Sequence, residues 1–200
     1  MRGGGDTLFY MNVSPGGVIT AAWITALVVW IIGAFTTKAT IRRQSIGSRL
    51  LEMSPLIVGY LLLRGTPSLL YWTSTRFVPP TFEWQVIGAV VTVAGVAIGI
   101  WARFYLGGNW SATVTVKQDH ELIRTGPYAA VRHPIYSGLL LAILGTAIYA
   151  GEIRGLFALA LAMVALKIKS MREEAFMQDE FGERYVQYRR EVKSLVPFVW

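Results

Sequence analysis

The sequence predicts an all-α, multi-pass transmembrane protein of about five spans that ends in a C-terminal helical hairpin. Three observations predict it. Of 200 residues, 54% are hydrophobic and only 16% charged, against about 25% charged in soluble domains. Several apolar runs reach the roughly 20 residues that cross a bilayer as a helix. The basic residues gather in alternate connecting segments rather than evenly along the chain.

The elements follow in order. Residues 1–17 are Gly-rich and polar and read as a short arm. Val18 to Thr37 is an uncharged apolar run followed by Lys38, Arg42, Arg43 and Arg49, the pattern of an uncleaved first span rather than a signal peptide. Leu50 to Trp72 is a second span weakened by Arg64, Gly65 and Pro67. Pro79 and Pro80 mark a loop, and Phe82 to Tyr105 reads as the third span. Its Gly88, Gly95 and Gly99 permit close helix approach, the last two as a GxxxG pair that suits a dimer or an internal contact equally.

Residues 106–134 are polar and read as a structured loop. Ile135 to Ala150 is a short fourth span, and residues 151–155 form a tight turn. Leu156 to about Glu180 is a long fifth helix, apolar at first (LFALALAMVAL) and then charged (KIKSMREEAFMQDE), so it leaves the membrane before it ends. A break at Gly182 and a basic amphipathic helix near Tyr185 to Val192 complete the chain. This divides it into an arm (1–17), N-terminal transmembrane helices (18–105) and a C-terminal core (106–200).

Fifteen of the 19 Lys and Arg residues fall in the segments that this topology places inside, which orients the chain with its N-terminus outside and its C-terminus in the cytoplasm. The formal charge of +7 is therefore read as headgroup and loop charge, with membrane lipids and not nucleic acid as the partner. With no cysteine and only His120 and His133, the sequence offers no metal-ligand spacing.

The tight turn at 151–155 forces the fourth and fifth helices to be antiparallel neighbours. The start of the fourth (Arg132-His133-Pro134-Ile135-Tyr136) then lies beside the cytoplasmic end of the fifth, from Lys169 to Glu174. Pro134 suits a first helical turn, the free amides there favour an acceptor, and Lys169 and Glu173 share a helix face. Taken singly these residues have plainer readings. His133 suits a helix-start histidine bonded to a carbonyl, Tyr128 and Tyr136 suit an interfacial belt, and Glu173 and Glu174 suit a solvated face.

Together their order is specific. His120-Glu121-Leu122-Ile123-Arg124-Thr125-Gly126-Pro127-Tyr128, then Val131-Arg132-His133-Pro134-Ile135-Tyr136-Ser137-Gly138, closely resembles the isoprenylcysteine carboxyl methyltransferase family. So do Asn109-Trp110-Ser111, Glu173-Glu174, Phe181-Gly182-Glu183-Arg184-Tyr185-Val186-Gln187-Tyr188 and Val196-Pro197-Phe198. The resemblance covers roughly residues 100–200.

It implies an S-adenosyl-L-methionine-dependent membrane methyltransferase with a cytoplasmic cofactor pocket. Carried over by motif, the cofactor contacts are His120, Glu121, Leu122, Ile123, Tyr128, His133, Pro134, Ile135, Tyr136 and Glu173. Lys169, Glu174 and His133 are the catalytic candidates: Lys169 for the acceptor's charge, His133 or Glu174 as a base where the acceptor needs one. Lys169 stands where the resemblance implies an arginine, keeping the charge but losing the bidentate fork. A second departure falls near Thr113. The implied acceptor is a lipophilic or lipidated carboxylate entering from the bilayer. A phospholipid amine methyltransferase and an NADPH-dependent sterol-type reductase are the alternatives.

Overall fold

The computed structural model describes residues 14–35, 40–43, 57–61, 71–107, 115–117 and 122–196. Most of the expected second span lies outside the described residues, as do His120, Glu121, Asn109-Trp110-Ser111, Thr113 and Pro197-Phe198.

Helix α1 spans Pro15–Ala34. It starts ahead of the expected Val18 because Ser14 caps it, its side-chain oxygen accepting from the Gly17 amide at 3.1 Å, with Pro15 in the first turn. Residues 57–61 are helical, and Tyr71–Ser74 is a 3-10 turn. Helix α2 is Phe82–Leu106, and Pro127–Ala130 forms the single turn α3. Helix α4 is Pro134–Ala150, α5 is Ile153–Phe181 and α6 is Glu183–Glu191. α1 and α2 are long and apolar enough to cross a membrane, and α4 is a shorter apolar helix.

The long helices were expected; the single turn α3, inside the expected loop, and one small ribbon were not. Strand β1 (Thr40–Arg43) pairs antiparallel with β2 (Thr115–Lys117). The polar loop after α2 is thus stitched to the segment that follows α1, so both segments lie at one end of the molecule.

The centre of the fold is a seam between α2 and α4. A methyl group at Gly95 would stand 2.5 Å from the Gly138 carbonyl oxygen and overlap the Ala142 amide. One at Gly145 would stand 2.6 Å from the Gly88 carbonyl, and one at Gly138 2.6 Å from that of Gly95. The two backbones touch along the seam because these positions have no side chain. In a bilayer, where apolar side chains gain little by leaving lipid, such contact is what drives helix association. The GxxxG pair therefore serves an internal contact. The seam also fixes direction: Gly95 meets Gly138 and Ala142 while Gly88 meets Gly145, so α4 runs antiparallel to α2.

Polar groups within the seam are satisfied. Thr92 Oγ1 donates to the Gly88 carbonyl at 2.8 Å and Thr146 Oγ1 to that of Ala142 at 2.9 Å. Trp23 Nε1 of α1 donates to Thr146 Oγ1 at 3.1 Å, joining a third helix. Arg103, buried at the end of α2, donates from Nη2 to the Gly33 carbonyl at 2.6 Å and from Nη1 to that of Gly107 at 3.0 Å. It thereby satisfies carbonyls that the ends of α1 and α2 leave free. Trp30 lies level with Gly99 and Gly33 with Arg103, so α1 and α2 run parallel.

Helix α5 returns beside α4, with Gly155 against Ala147. Its buried stripe is Gly155, Ala158, Ala162, Ala165, Leu166, Ser170 and Glu174. The small residues pack in the apolar part, and the same face continues into the polar part, where it carries Glu174 inward.

The seam predicts an asymmetry inside the GxxxG pair. Gly95→Val forces the backbones apart and destabilises the protein by about 3 kcal/mol. A methyl group at Gly99 meets nothing nearer than Trp30 at 3.6 Å, so Gly99→Ala changes stability by less than about 1 kcal/mol. Thermal unfolding in detergent distinguishes the two.

Candidate functional site

Gly126, at φ 58°, makes the turn into α3. No side chain fits there, since a methyl group would stand 2.5 Å from the Tyr105 ring. The turn delivers Tyr128 into the interior, 7% exposed, its hydroxyl 3.4 Å from the Ala102 carbonyl of α2. Tyr188 of α6 donates to the Tyr128 carbonyl at 2.5 Å. Tyr128 therefore ties α2 and α6 together.

The segment 192–195 then runs alongside 131–133. The amides of Arg132 and His133 donate to the carbonyls of Lys193 (2.8 Å) and Ser194 (3.0 Å), and Ser137 Oγ donates to that of Leu195. His133 is the N-cap residue of α4 but its side chain makes no capping bond. The ring turns instead toward α5.

There it lies between two carboxylates. His133 Nε2 is 3.1 Å from Glu174 Oε1, and Nδ1 is 3.5 Å from Glu173 Oε2. Its ring stacks on Tyr136, centroids 5.4 Å apart and 6° from parallel. The Tyr136 hydroxyl donates to Glu173 Oε1, and Lys169 Nζ sits 5.5 Å from the Tyr136 ring centroid. Glu174 is buried and held from four directions. Arg132 donates to Oε1 from Nε (3.0 Å) and Nη2 (2.7 Å), Ser194 Oγ lies at 3.3 Å, and Arg189 Nε of α6 is 3.5 Å from Oε2. Arg132 Nη1 reaches the carbonyls of Arg189 and Val192.

The electrostatics follow from this packing. Burial would push the His133 imidazolium down, but Glu173 and Glu174 outweigh it and hold its pKa above the ordinary 6.5. Burial would raise both carboxyls. His133 and Arg132 instead bring Glu174 down to about 2, and His133, Lys169 and Tyr136 bring Glu173 below its usual value. Both nitrogens of His133 face carboxylate oxygens, an arrangement that favours the doubly protonated ring. Burial lifts the Tyr188 hydroxyl to about 12, so it donates.

Of the residues predicted from sequence, the fold brings His133, Tyr136, Lys169, Glu173 and Glu174 into one cluster. Pro134 is buried behind it in the first turn of α4, with Ile135 half-buried beside it. Leu122 and Ile123 are half-buried on the approach to Gly126. Sequence reasoning missed Ser194, Arg189 and the part Arg132 plays; the alternation of charge across Arg132, His133, Glu173 and Glu174 was the available signal.

The phospholipid methyltransferase family model matches residues 84–184, just over half of the chain. A protein-S-isoprenylcysteine O-methyltransferase from Schizosaccharomyces pombe is 38% identical over 103 residues, covering 49% of this chain and 43% of that protein. Protein-S-isoprenylcysteine O-methyltransferase B from Arabidopsis thaliana is 30% identical over 117 residues, covering 56% and 58%. The chain thus spans about half the length of these curated relatives. The solved structure of the eukaryotic intramembrane Ras methyltransferase ICMT shares its fold, with a TM-score of 0.58 and 21% identity, over 96% of this chain and 70% of that one. The resemblance read from the motifs is borne out.

The pKa directions set a pH optimum for stability. Because folded His133 keeps its proton above 6.5, the folded state holds more protons than the unfolded state there, and stability falls as pH rises, by up to about 1 kcal/mol per pH unit. On the acid side, stability falls as pH drops from about 4.5 toward the depressed value of Glu174. Thermal midpoints measured from pH 2 to 9 check this, and His133→Asn abolishes the alkaline slope.

Proposed function

Since the chain belongs to the phospholipid methyltransferase family, we propose that it is an integral membrane methyltransferase that uses S-adenosyl-L-methionine to methylate the carboxylate of a lipophilic, prenylcysteine-like acceptor. The observation that carries the reading is Glu173. It is an ionised, half-buried carboxylate with a side chain 23% exposed, oriented by Tyr136 and His133 where α5 faces the start of α4.

The donor set fits the cofactor. A carboxylate held in place pairs with an α-ammonium group. The Tyr136 face already lies near the Lys169 ammonium, so it accepts cationic character of the sulfonium kind. Pro134, Ile135 and the polar segment with His120, Glu121, Leu122 and Ile123 complete the proposed pocket. When bound, S-adenosylmethionine supplies an electrophilic methyl group on a sulfonium.

What remains for the protein is alignment and exclusion of water. Lys169 supplies the charge that holds an acceptor carboxylate, and the acceptor's tail lies among the apolar residues exposed on α5, such as Val164 and Ile168. A carboxylate is ionised at neutral pH and needs no base. An ammonium acceptor does need one. Both nitrogens of His133 are turned to Glu173 and Glu174, and Glu174 is itself engaged by Arg132, His133, Ser194 and Arg189. The geometry therefore favours the carboxylate over a phospholipid amine.

Five spans, with the site in the cytoplasm, fit this reading. Parallel α1 and α2 require the chain between them to return across the bundle, and Gly59 lies near Ala158 of α5, where such a crossing would pass. The basic residues orient it.

Labelled methyl transfer in vesicles to a prenylcysteine analogue is expected to yield a base-labile ester; a stable methylated amine headgroup would reverse the assignment of acceptor. Glu173→Ala lowers cofactor affinity at least about ten-fold, or about 1.4 kcal/mol, by calorimetry in detergent. Lys169→Ala raises KM for the acceptor by a larger factor than it weakens cofactor binding.

A further inference from the structure

A chain of alternating charge crosses the site: Arg132, Glu174, His133, Glu173. Its two carboxylates are adjacent in sequence but differ in kind. Glu173 stands at the edge of the buried face of α5, reached by Tyr136 and the Nδ1 edge of His133. Glu174 lies on the buried stripe itself and meets α6 and the segment 192–195. With its oxygens engaged from four directions, it has neither the exposure of a ligand nor the freedom of a base.

We infer that Glu174 is a positioning residue: fixed by Arg132, Arg189 and Ser194, it holds the His133 ring as a bridge that sets the Glu173 carboxylate for the cofactor's ammonium. The inference rests on the reading of Glu173 as cofactor ligand. Its physical content is orientation. An imidazolium anchored at Nε2 has one remaining donor, Nδ1, whose direction is then fixed. Stacking on Tyr136 fixes the ring plane, and Tyr136 itself holds the other oxygen of Glu173. Both oxygens of Glu173 are thereby set by groups that trace back to α4 and, through Glu174, to α6 and the segment 192–195.

The charged and titratable groups around His133 and its two carboxylates are Arg132 beside it, Tyr136 on α4, Lys169, Glu173 and Glu174 on α5, and Arg189 and Tyr185 on α6. Among these, Glu174 is the anion on Nε2. Without its charge, the second proton of His133 is lost at lower pH and the bridge to Glu173 loosens.

The test is binding of S-adenosylhomocysteine to the full chain in detergent, by calorimetry from pH 6 to 9. Wild-type affinity is expected to change less than about two-fold between pH 6 and 8. In Glu174→Gln it falls about ten-fold across that range, the loss moving at least one pH unit toward acid, and Glu174→Asp restores the wild-type profile. A purely structural role would lower the folded fraction without moving the profile, and a folded Glu174→Gln protein with the wild-type profile overturns the inference. Nitrogen NMR of the wild type labelled at histidine, assigned with His133→Asn, gives a reading that survives a variant failing to fold. An imidazolium at pH 7.5 whose two nitrogens shift on adding S-adenosylhomocysteine supports the bridge; a neutral ring overturns it. Absence of binding to the wild type would instead strike at the proposed function.

Discussion

Backbone contact between α2 and α4 is the constraint from which the other features of this fold follow. Glycine at 88, 95, 138 and 145 lets the two helices touch with no side chain between them, and such an approach admits one register and one direction. Lipid offers no hydrophobic reason for two apolar helices to meet, so the seam needs dispersion and backbone proximity. The threonines and Trp23 add hydrogen bonds at the same level. Once the seam is set, the start of α4 is fixed at the end of the molecule where α2 finishes. The left-handed turn at Gly151 then sends α5 back toward it.

That geometry explains how one helix serves both apolar packing and a polar site. The face of α5 that packs small side chains against α4 reaches Ser170 and Glu174 without a break. Two turns of helix separate the small-residue packing from a buried carboxylate. The segment 192–195 closes the arrangement from the other side by bonding the amides of Arg132 and His133. The site is thus a joint between three pieces of chain distant in sequence, and no single motif contains it.

Much of this was legible in the sequence. Apolar runs declared α1, α2, α4 and the first half of α5, and the 151–155 turn placed the start of α4 beside the far, polar end of α5. Side chains at the site could be named because their order followed a family pattern. What escaped reading depends on contacts across the chain. GxxxG at Gly95 announces close approach but carries no address, so only the structure names Gly138 as partner. The ribbon between Thr40–Arg43 and Thr115–Lys117 joins two short polar segments whose pairing no local pattern encodes. A pair of adjacent glutamates looks like a solvated helix face until the helix phase is known. One helical step then puts Glu174 on the buried stripe and leaves Glu173 at its edge.

The energetics of the Arg132–Glu174 pair show why position rather than stability is its function. Moving two charges out of water costs several kcal/mol each, and well-packed apolar residues of equal volume often stabilise a fold as much or more. What apolar residues lack is direction. Arg132 reaches one oxygen of Glu174 with two nitrogens and uses its remaining one on the carbonyls of Arg189 and Val192. One guanidinium thereby registers α6, the segment after it and α5 against a single point. His133 reads that point through Nε2 and passes it to Glu173 through Nδ1. A hydrophobic replacement could hold the same helices together yet leave the Glu173 carboxylate free to rotate. A site that must align two small groups to within a fraction of an ångström gains from the charged arrangement what a greasy one cannot supply.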